Sequence, residues 1–346
     1  MSEDARSHTP LITVGIVVLN REWIISKVLN SVLSQTYPHN RIFLLIVDGK
    51  SKDKTVETAQ KILEKSDLKG YDIVVKKSNI PEGRNMCIDK MQGEALLFWD
   101  SDIIMEPNAI QELVGLMEKQ KADIVTGNAI SMFVDSVKDV DAKVEETMKQ
   151  PTLELIEEAP AAGMGHTLIS RSVLNSVRFD PDLTICEDYD FSIRAREKKF
   201  KIEMTQKIHI VDVNIIKQAH SDIHIDMPLK NAMRGMRKKA RAQTLGFRSV
   251  LTRREAIRFF MLNKRYVFYL GYVPTAILSG IGVLMSNLLL VVMFPFYLLL
   301  FSVWQVRRRG VKAGARAISR SFLVGLPTSL WIGYYFTKYT TRKRQL

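Results

Sequence analysis

Ala95-Leu96-Leu97-Phe98-Trp99-Asp100-Ser101-Asp102 is the stretch on which the reading of this chain turns. Five apolar residues in succession suit a strand buried on both faces, as in a parallel sheet. The two carboxylates, one residue apart, then stand at the carboxyl end of that strand. Open α/β sheets collect their ligands there. Hard divalent cations take oxygen ligands, and Mg²⁺ in particular uses one or two carboxylates together with substrate phosphates. Asp100 and Asp102 are therefore candidate ligands for Mg²⁺ or Mn²⁺ and, through the ion, for a diphosphate. An Asp-x-Asp standing alone also describes an ordinary solvated turn, so its neighbours carry the weight.

Outward from this stretch, strand and helix patterns alternate. Leu11 to Leu19, Arg41 to Val47 and Tyr71 to Val75 read as strands. Glu22 to Ser34, Asp53 to Lys65 and Arg84 to Met91 read as the helices between them. Such βαβ units predict an α/β fold with a mainly parallel sheet. The strand-end rule selects Asn20 and Asp48 beside Asp100 and Asp102, and Leu19, the last residue of the first strand, is a donor-binding candidate with them. Further on, Asn108 to Lys119 reads as a helix, Ile124 to Thr126 as a short strand and Val137 to Leu155 as an amphipathic helix. Ala161 to Ser170 reads as loop into strand, where Gly163 and Gly165 allow backbone to approach a sugar or acceptor, or simply turn. Ile185 to Lys198 carries acids at its start and bases at its end, a polarity that suits the helix dipole.

Charge is unevenly spread. The chain of 346 residues carries +13, but the part from Lys230 onward carries +21 and the remainder −8. No charged residue occurs from Val267 to Val306, which predicts two membrane spans turned near Ser286-Asn287. A third apolar segment runs over 321–337. Basic residues flank the hairpin at Lys264-Arg265 and Arg307-Arg308-Arg309, which predicts a cytoplasmic catalytic part at a cell or ER membrane. The basic amphipathic stretch 227–265 suits headgroups, and its Arg234 and Arg237 are candidate contacts to an acceptor phosphate. The expected domains are thus 1–226, 227–265 and 266–346, with the hairpin at 267–306. Cys87 and Cys186 are the only cysteines, so no disulfide framework exists. No nucleic-acid-binding motif accompanies the basic tail.

Glu187, Asp188 and Asp190 form a second acidic cluster. A carboxylate there can take the proton from an alcohol acceptor, and Asp188 is the leading candidate. The same acids also suit the first turn of a helix.

Several stretches together resemble family 2 glycosyltransferases. They are Val14 to Asn20 followed by Val28 to Thr36, then Ile46 to Thr55, Pro81 to Met86, Gly93-Glu94 before Asp100-Ser101-Asp102, and Glu187-Asp188-Tyr189-Asp190 with Arg194. The resemblance covers residues 11 to 225. It implies a GT-A fold and inverting transfer from a nucleotide-diphosphate sugar. It also implies nucleoside contacts from Asp48 and Arg84, and a metal or diphosphate role for His220. Many members carry two acids where this chain has Asp48-Gly49. With the tail included, the chain is similar to dolichol- and polyprenyl-phosphate sugar synthases, which implies a membrane polyprenyl phosphate as acceptor. Extension of a lipid-linked oligosaccharide or polysaccharide is the alternative; a non-catalytic nucleotide-sugar-binding protein is the reading from another class. No Gln-x-x-Arg-Trp motif of a processive synthase is found, and homo-oligomers are left open.

Overall fold

The computed structural model describes residues 9–159, 161–183, 187–215 and 264–309. The chain divides into two compact units, Met1–His224 and Ile225–Leu346.

In the first unit β1 (Ile12–Val18), α1 (Ile25–Leu33), β2 (Ile42–Asp48), α2 (Thr55–Leu63), β3 (Gly70–Val75), α3 (Ile80–Lys90) and β4 (Ala95–Trp99) alternate as expected. There follow β5 (Ile103–Met105), α4 (Ala109–Gln120), β6 (Ile124–Thr126), β7 (Ala129–Val134), α5 (Val140–Met148), β8 (Ile156–Glu158), β9 (His166–Ser170), α6 (Arg171–Ser176), α7 (Glu187–Glu197), β10 (Ile202–Thr205) and β11 (Ile210–Ile215). The main sheet runs β3-β2-β1-β4-β9-β6-β10-β8, and a small sheet runs β5-β11-β7. β3, β2, β1 and β4 are mutually parallel, as are β6 and β10. β9 enters antiparallel between β4 and β6, and β8 closes the edge antiparallel to β10.

Alternation along the strands sorts the core into two layers. Val14, Ile16, Leu44, Ile46, Leu97 and Trp99 pack under α1 and α4 on one face. Leu45, Val47, Leu96 and Phe98 pack with Cys87 and Ile88 of α3, Leu174 of α6 and Phe191 of α7 on the other. Burial on both faces is why these strands read as unbroken apolar runs. Gly83 lets α3 lie close on β1, since a Cβ there would meet Val17 Cγ1 at 2.7 Å.

Two helix boundaries depart furthest from expectation. α3 begins at Ile80, before the expected Arg84, because Asn79 and Glu82 form a capping box: Glu82 N–H donates to Asn79 Oδ1 (2.9 Å) and Asn79 N–H to Glu82 Oε2 (2.8 Å). The expected helix Val137 to Leu155 stops at Met148, ahead of Pro151, which cannot continue it. Residues from Ile156 instead pair as β8 at the sheet edge.

The second unit contains α8 (Lys264–Leu284), α9 (Leu288–Val291) and α10 (Met293–Arg309). The chain reverses at Ser286, which has φ 52°, so the turn lies where the sequence placed it. Ser279 Oγ donates to the carbonyls of Leu290 (3.1 Å) and Val291 (2.8 Å) and accepts from Phe294 N–H (3.1 Å), pinning the reversal. Among the described residues no helix is long and apolar enough to cross a membrane, which corrects the expected pair of spans over 267–306. The apolar run is divided among three helices. α10, of 17 residues, ends in three arginines, and Pro274 removes a hydrogen bond inside α8. The segment 321–337, and all of 227–265 except Lys264 and Arg265, lie outside the described residues.

Candidate active site

β1 has β2 on one side and β4 on the other, so the chain's winding reverses beside it, and a crevice opens at the strands' carboxyl ends. A cavity of about 460 Å³ occupies that crevice. Leu19 and Arg21 from the end of β1, Gly49 after β2, Asn79 and Arg84 from α3, and Asp100, Ser101 and Asp102 after β4 line it.

The turn after β4 is held from several sides. Trp99 Nε1 donates to the Ile103 carbonyl (2.9 Å), and Asp100 N–H donates to the Gly165 carbonyl (2.9 Å). A Cβ on Gly165 would stand 2.5 Å from Asp100 Oδ2, so this glycine admits the Asp100 carboxylate. Each carboxylate has an arginine. Arg84 Nη2 donates to Asp100 Oδ1 (3.3 Å), and Arg21 Nη2 to Asp102 Oδ2 (3.2 Å). Burial, with Asp100 and Asp212 nearby, pushes the Asp102 pKa up to about 6, against the pull of Arg21.

Arg84 joins the two acidic clusters. Its Nη1 donates to Glu187 Oε1 (2.8 Å), and its guanidinium carbon lies 5.9 and 5.5 Å from the ring centres of Phe98 and Phe179. Burial opposes its charge, but Asp100, Glu187 and Asp188 outweigh that and hold its pKa above the ordinary arginine value. Asn85 fixes Phe179 by a reciprocal pair: Nδ2 donates to the Phe179 carbonyl (2.8 Å) and Oδ1 accepts from its N–H (2.9 Å). At the start of α7, burial and then the Glu187 charge push the Asp188 pKa up to about 6. The Tyr189 N–H and Arg84 oppose that rise. Asp190 is buried and bound by Arg194, whose Nε donates to Oδ2 (2.8 Å).

This geometry accompanies a sequence match: residues 13–178 fit the family described as Glycosyl transferase family 2. Those residues, just under half of the chain, thus match a family 2 glycosyltransferase domain. The poly(ribitol-phosphate) beta-N-acetylglucosaminyltransferase TarS of Staphylococcus aureus is 24% identical over 195 residues, 53% of this chain and 32% of that protein. A poly(ribitol-phosphate) beta-glucosyltransferase of Bacillus spizizenii is 27% identical over 202 residues, 56% of this chain and 31% of that protein. The chain thus spans about a third of the length of these relatives. A mannosyltransferase of Pyrobaculum calidifontis, solved with GDP-Man and Mn²⁺, superposes with a TM-score of 0.54 over 97% of this chain and 89% of that one, at 13% identity. That likeness is one of fold, and the fold is GT-A-like, with a mostly parallel sheet.

The expected residues differ in where the structure places them. Leu19, Arg84, Asp100 and Asp102 line the cavity, and Glu187 meets Arg84. Asn20 and Asp48 hold the loop beneath it. Asp48 Oδ1 accepts from Lys50 and Ser51 N–H (2.8 and 2.7 Å), and Asn20 Oδ1 from Lys52 N–H (2.8 Å). Gly163 gives its carbonyl to Thr167 Oγ1 (2.6 Å); the closer approach is that of Gly165 to Asp100. His220, Arg234 and Arg237 lie outside the described residues. Three participants were not expected. Arg21 binds Asp102, Asp212 adds charge beside it, and His166 is a half-buried ring whose buried Nδ1 has no hydrogen-bond partner. Burial lowers the His166 pKa, against the carboxylates of Asp100 and Asp212. β9 and β11 bring these last two in, and no local motif marks either.

Proposed function

We propose that this chain transfers a sugar, with inversion, from a nucleotide-diphosphate sugar to an acceptor hydroxyl, with Asp188 as general base. The observation that carries this reading is Arg84 on the cavity wall, bonded to both Asp100 and Glu187, which ties the acidic start of α7 to the cavity; burial and the Glu187 charge there raise the neighbouring Asp188 carboxyl to about 6. Such a carboxylate is ionised at neutral pH yet more basic than an ordinary aspartate, which suits removal of an alcohol proton. The relatives named for poly(ribitol-phosphate) support a hydroxyl-bearing polymer as acceptor.

Asp100 and Asp102 would hold a divalent ion. Among the described residues no three metal-binding side chains gather. Two carboxylates completed by substrate phosphates are nonetheless an ordinary set for Mg²⁺ or Mn²⁺, and the fold neighbour solved with Mn²⁺ supports one. When bound, the ion neutralises charge on the departing diphosphate. Arg84 bonds both Asp100 and Glu187 and so holds the two acidic clusters in register. Asp188 takes the acceptor proton as the acceptor oxygen attacks opposite the diphosphate.

A second reading places a membrane polyprenyl phosphate as acceptor, with the chain at a membrane and the domain on its cytoplasmic face. It is favoured by the apolar residues that the helical hairpin exposes at its reversal: Leu284 is 86%, Leu288 75% and Leu289 80% exposed. A phosphate acceptor is already ionised and needs no base, so transfer to lipid would survive loss of the Asp188 carboxylate better than transfer to a hydroxyl.

The test supplies the full chain in detergent with Mn²⁺ or Mg²⁺, labelled UDP- and GDP-sugars, and either poly(ribitol phosphate) or a short polyprenyl phosphate. Label in the polymer, lost in Asp188→Asn, supports the first reading. Label in the organic phase, retained in Asp188→Asn, establishes the second. No transfer to either acceptor from any donor overturns both.

A further inference from the structure

Arg21 has no part in the mechanism above, yet it stands on the cavity wall. Its backbone is fixed. The N–H donates to Thr55 Oγ1 (2.8 Å), and the carbonyl accepts from Ile24 and Ile25 N–H (3.0 and 2.8 Å) at the entry to α1. Its side chain is held far less. Among the described residues its one side-chain hydrogen bond is Nη2 to Asp102 at 3.2 Å, and its Nε is buried with no partner. A guanidinium carries five N–H donors in a rigid fork, so most of that capacity is unmet. Arg84 is the contrast: its side chain is 5% exposed, bonded to two acids and placed against two rings, whereas that of Arg21 is 33% exposed.

We propose that Arg21 is a diphosphate-binding residue that yields Asp102 to the divalent ion when the donor arrives. The proposal rests on the glycosyltransferase reading. An ion on Asp102 competes with the guanidinium for the same oxygen and repels it. Phosphate oxygens in the same cavity match the fork of Arg21, including its unpaired Nε, through charge-assisted bonds. The domain's described residues offer the ion only Asp100 and Asp102. An ion arriving alone must displace Arg21 without giving it a new partner. An ion arriving with a diphosphate brings the ion's remaining ligands and the arginine's new partner together. Removing Arg21 therefore acts in opposite directions on the two ligands.

Mn²⁺ binding is read from loss of the free-ion electron paramagnetic resonance signal, on the full chain with and without UDP, GDP, CDP or dTDP. Nucleotide binding is measured in parallel by calorimetry. In the wild-type chain the matching nucleotide should tighten Mn²⁺ binding by about tenfold or more, and by linkage Mn²⁺ should tighten the nucleotide equally. In Arg21→Gln, Mn²⁺ alone should bind as tightly as in wild type or more tightly. The nucleotide should bind about tenfold more weakly, and the mutual tightening should shrink. Arg21→Lys keeps the charge without the fork and should fall between; it also serves if the glutamine variant does not fold. Loss of both affinities by one common factor, or nucleotide binding unaffected by either substitution, overturns the proposal. If no nucleotide binds wild-type protein with or without Mn²⁺, the glycosyltransferase reading fails, and the role of Arg21 falls with it.

Discussion

The two acidic clusters of the site are built on different foundations. Asp100 and Asp102 leave the end of β4, a strand buried on both faces, and face one cavity together. Glu187, Asp188 and Asp190 open a helix, where successive side chains are turned by about 100° from one another. Each acid there consequently meets a different neighbour. Arg84 takes Glu187, Arg194 takes Asp190, and Asp188 accepts the Tyr189 N–H beside its raised carboxyl. A turn at a strand end gathers acids for one task, while a helix start distributes them among several.

That contrast can be broken by substitution. Asp188→Asn should have the largest effect on transfer to a hydroxyl acceptor, a loss of roughly 10²–10⁴ in kcat with the fold intact. In the wild-type chain kcat should fall as pH drops below about 6, where Asp188 takes up its proton, and the asparagine variant should lack that limb. The matching stability effect has a definite sign. The folded pKa is above the ordinary value of 3.8, so the folded state holds this proton more tightly than the unfolded one. Asp188 therefore favours the fold at low pH, and that contribution is lost as pH rises from 3.8 to about 6; denaturant titrations at several pH values, wild type against Asp188→Asn, would show it.

Asp102→Asn should cost about 10²–10³ in kcat/KM and weaken Mn²⁺ binding in the presence of nucleotide. Equal losses from Asp100 and Asp102 would sharpen the view that the strand-end acids work as one. Asp190→Ala tests the opposite claim for the helix. It leaves Arg194 without its buried partner and should cost about 3 kcal/mol of stability by denaturant unfolding. Donor affinity of the protein that remains folded should be unchanged. The smallest contrast lies between two glycines. Gly165→Ala drives a methyl against Asp100 and should lower kcat/KM by about tenfold, a cost typical of an ångström-scale misplacement. In Gly163→Ala the new Cβ meets the His166 ring at 3.4 Å, ordinary contact, and activity should hold.

The strand–helix alternation up to Trp99 was legible because parallel strands are buried on both faces and written as apolar runs. The later part was less so. β5, β7 and β8 are short or lie at sheet edges, and Pro151 outweighed the amphipathic pattern that continued beyond Met148. The reversal at Ser286 was legible in a break of apolar residues, but the division of the hairpin into three helices was not. That division depends on Ser279 reaching across to the Leu290 and Val291 carbonyls.

For the site, sequence alone determined which residues follow the strands, and so placed Asp100 and Asp102 among the candidates; the run of acids at a helix start added Glu187, Asp188 and Asp190, and the family resemblance added Arg84. Strand position follows from local burial, which the sequence writes directly. Tertiary structure alone decided which acids meet which arginines, that Asp48 and Asn20 hold a loop, and that His166 and Asp212 lie near the paired aspartates. Those outcomes depend on where β9 and β11 enter the sheets and on Phe179 reaching Arg84 through Asn85. Contacts across such distances in sequence leave no local pattern, because the residue that completes each pair stands on another element.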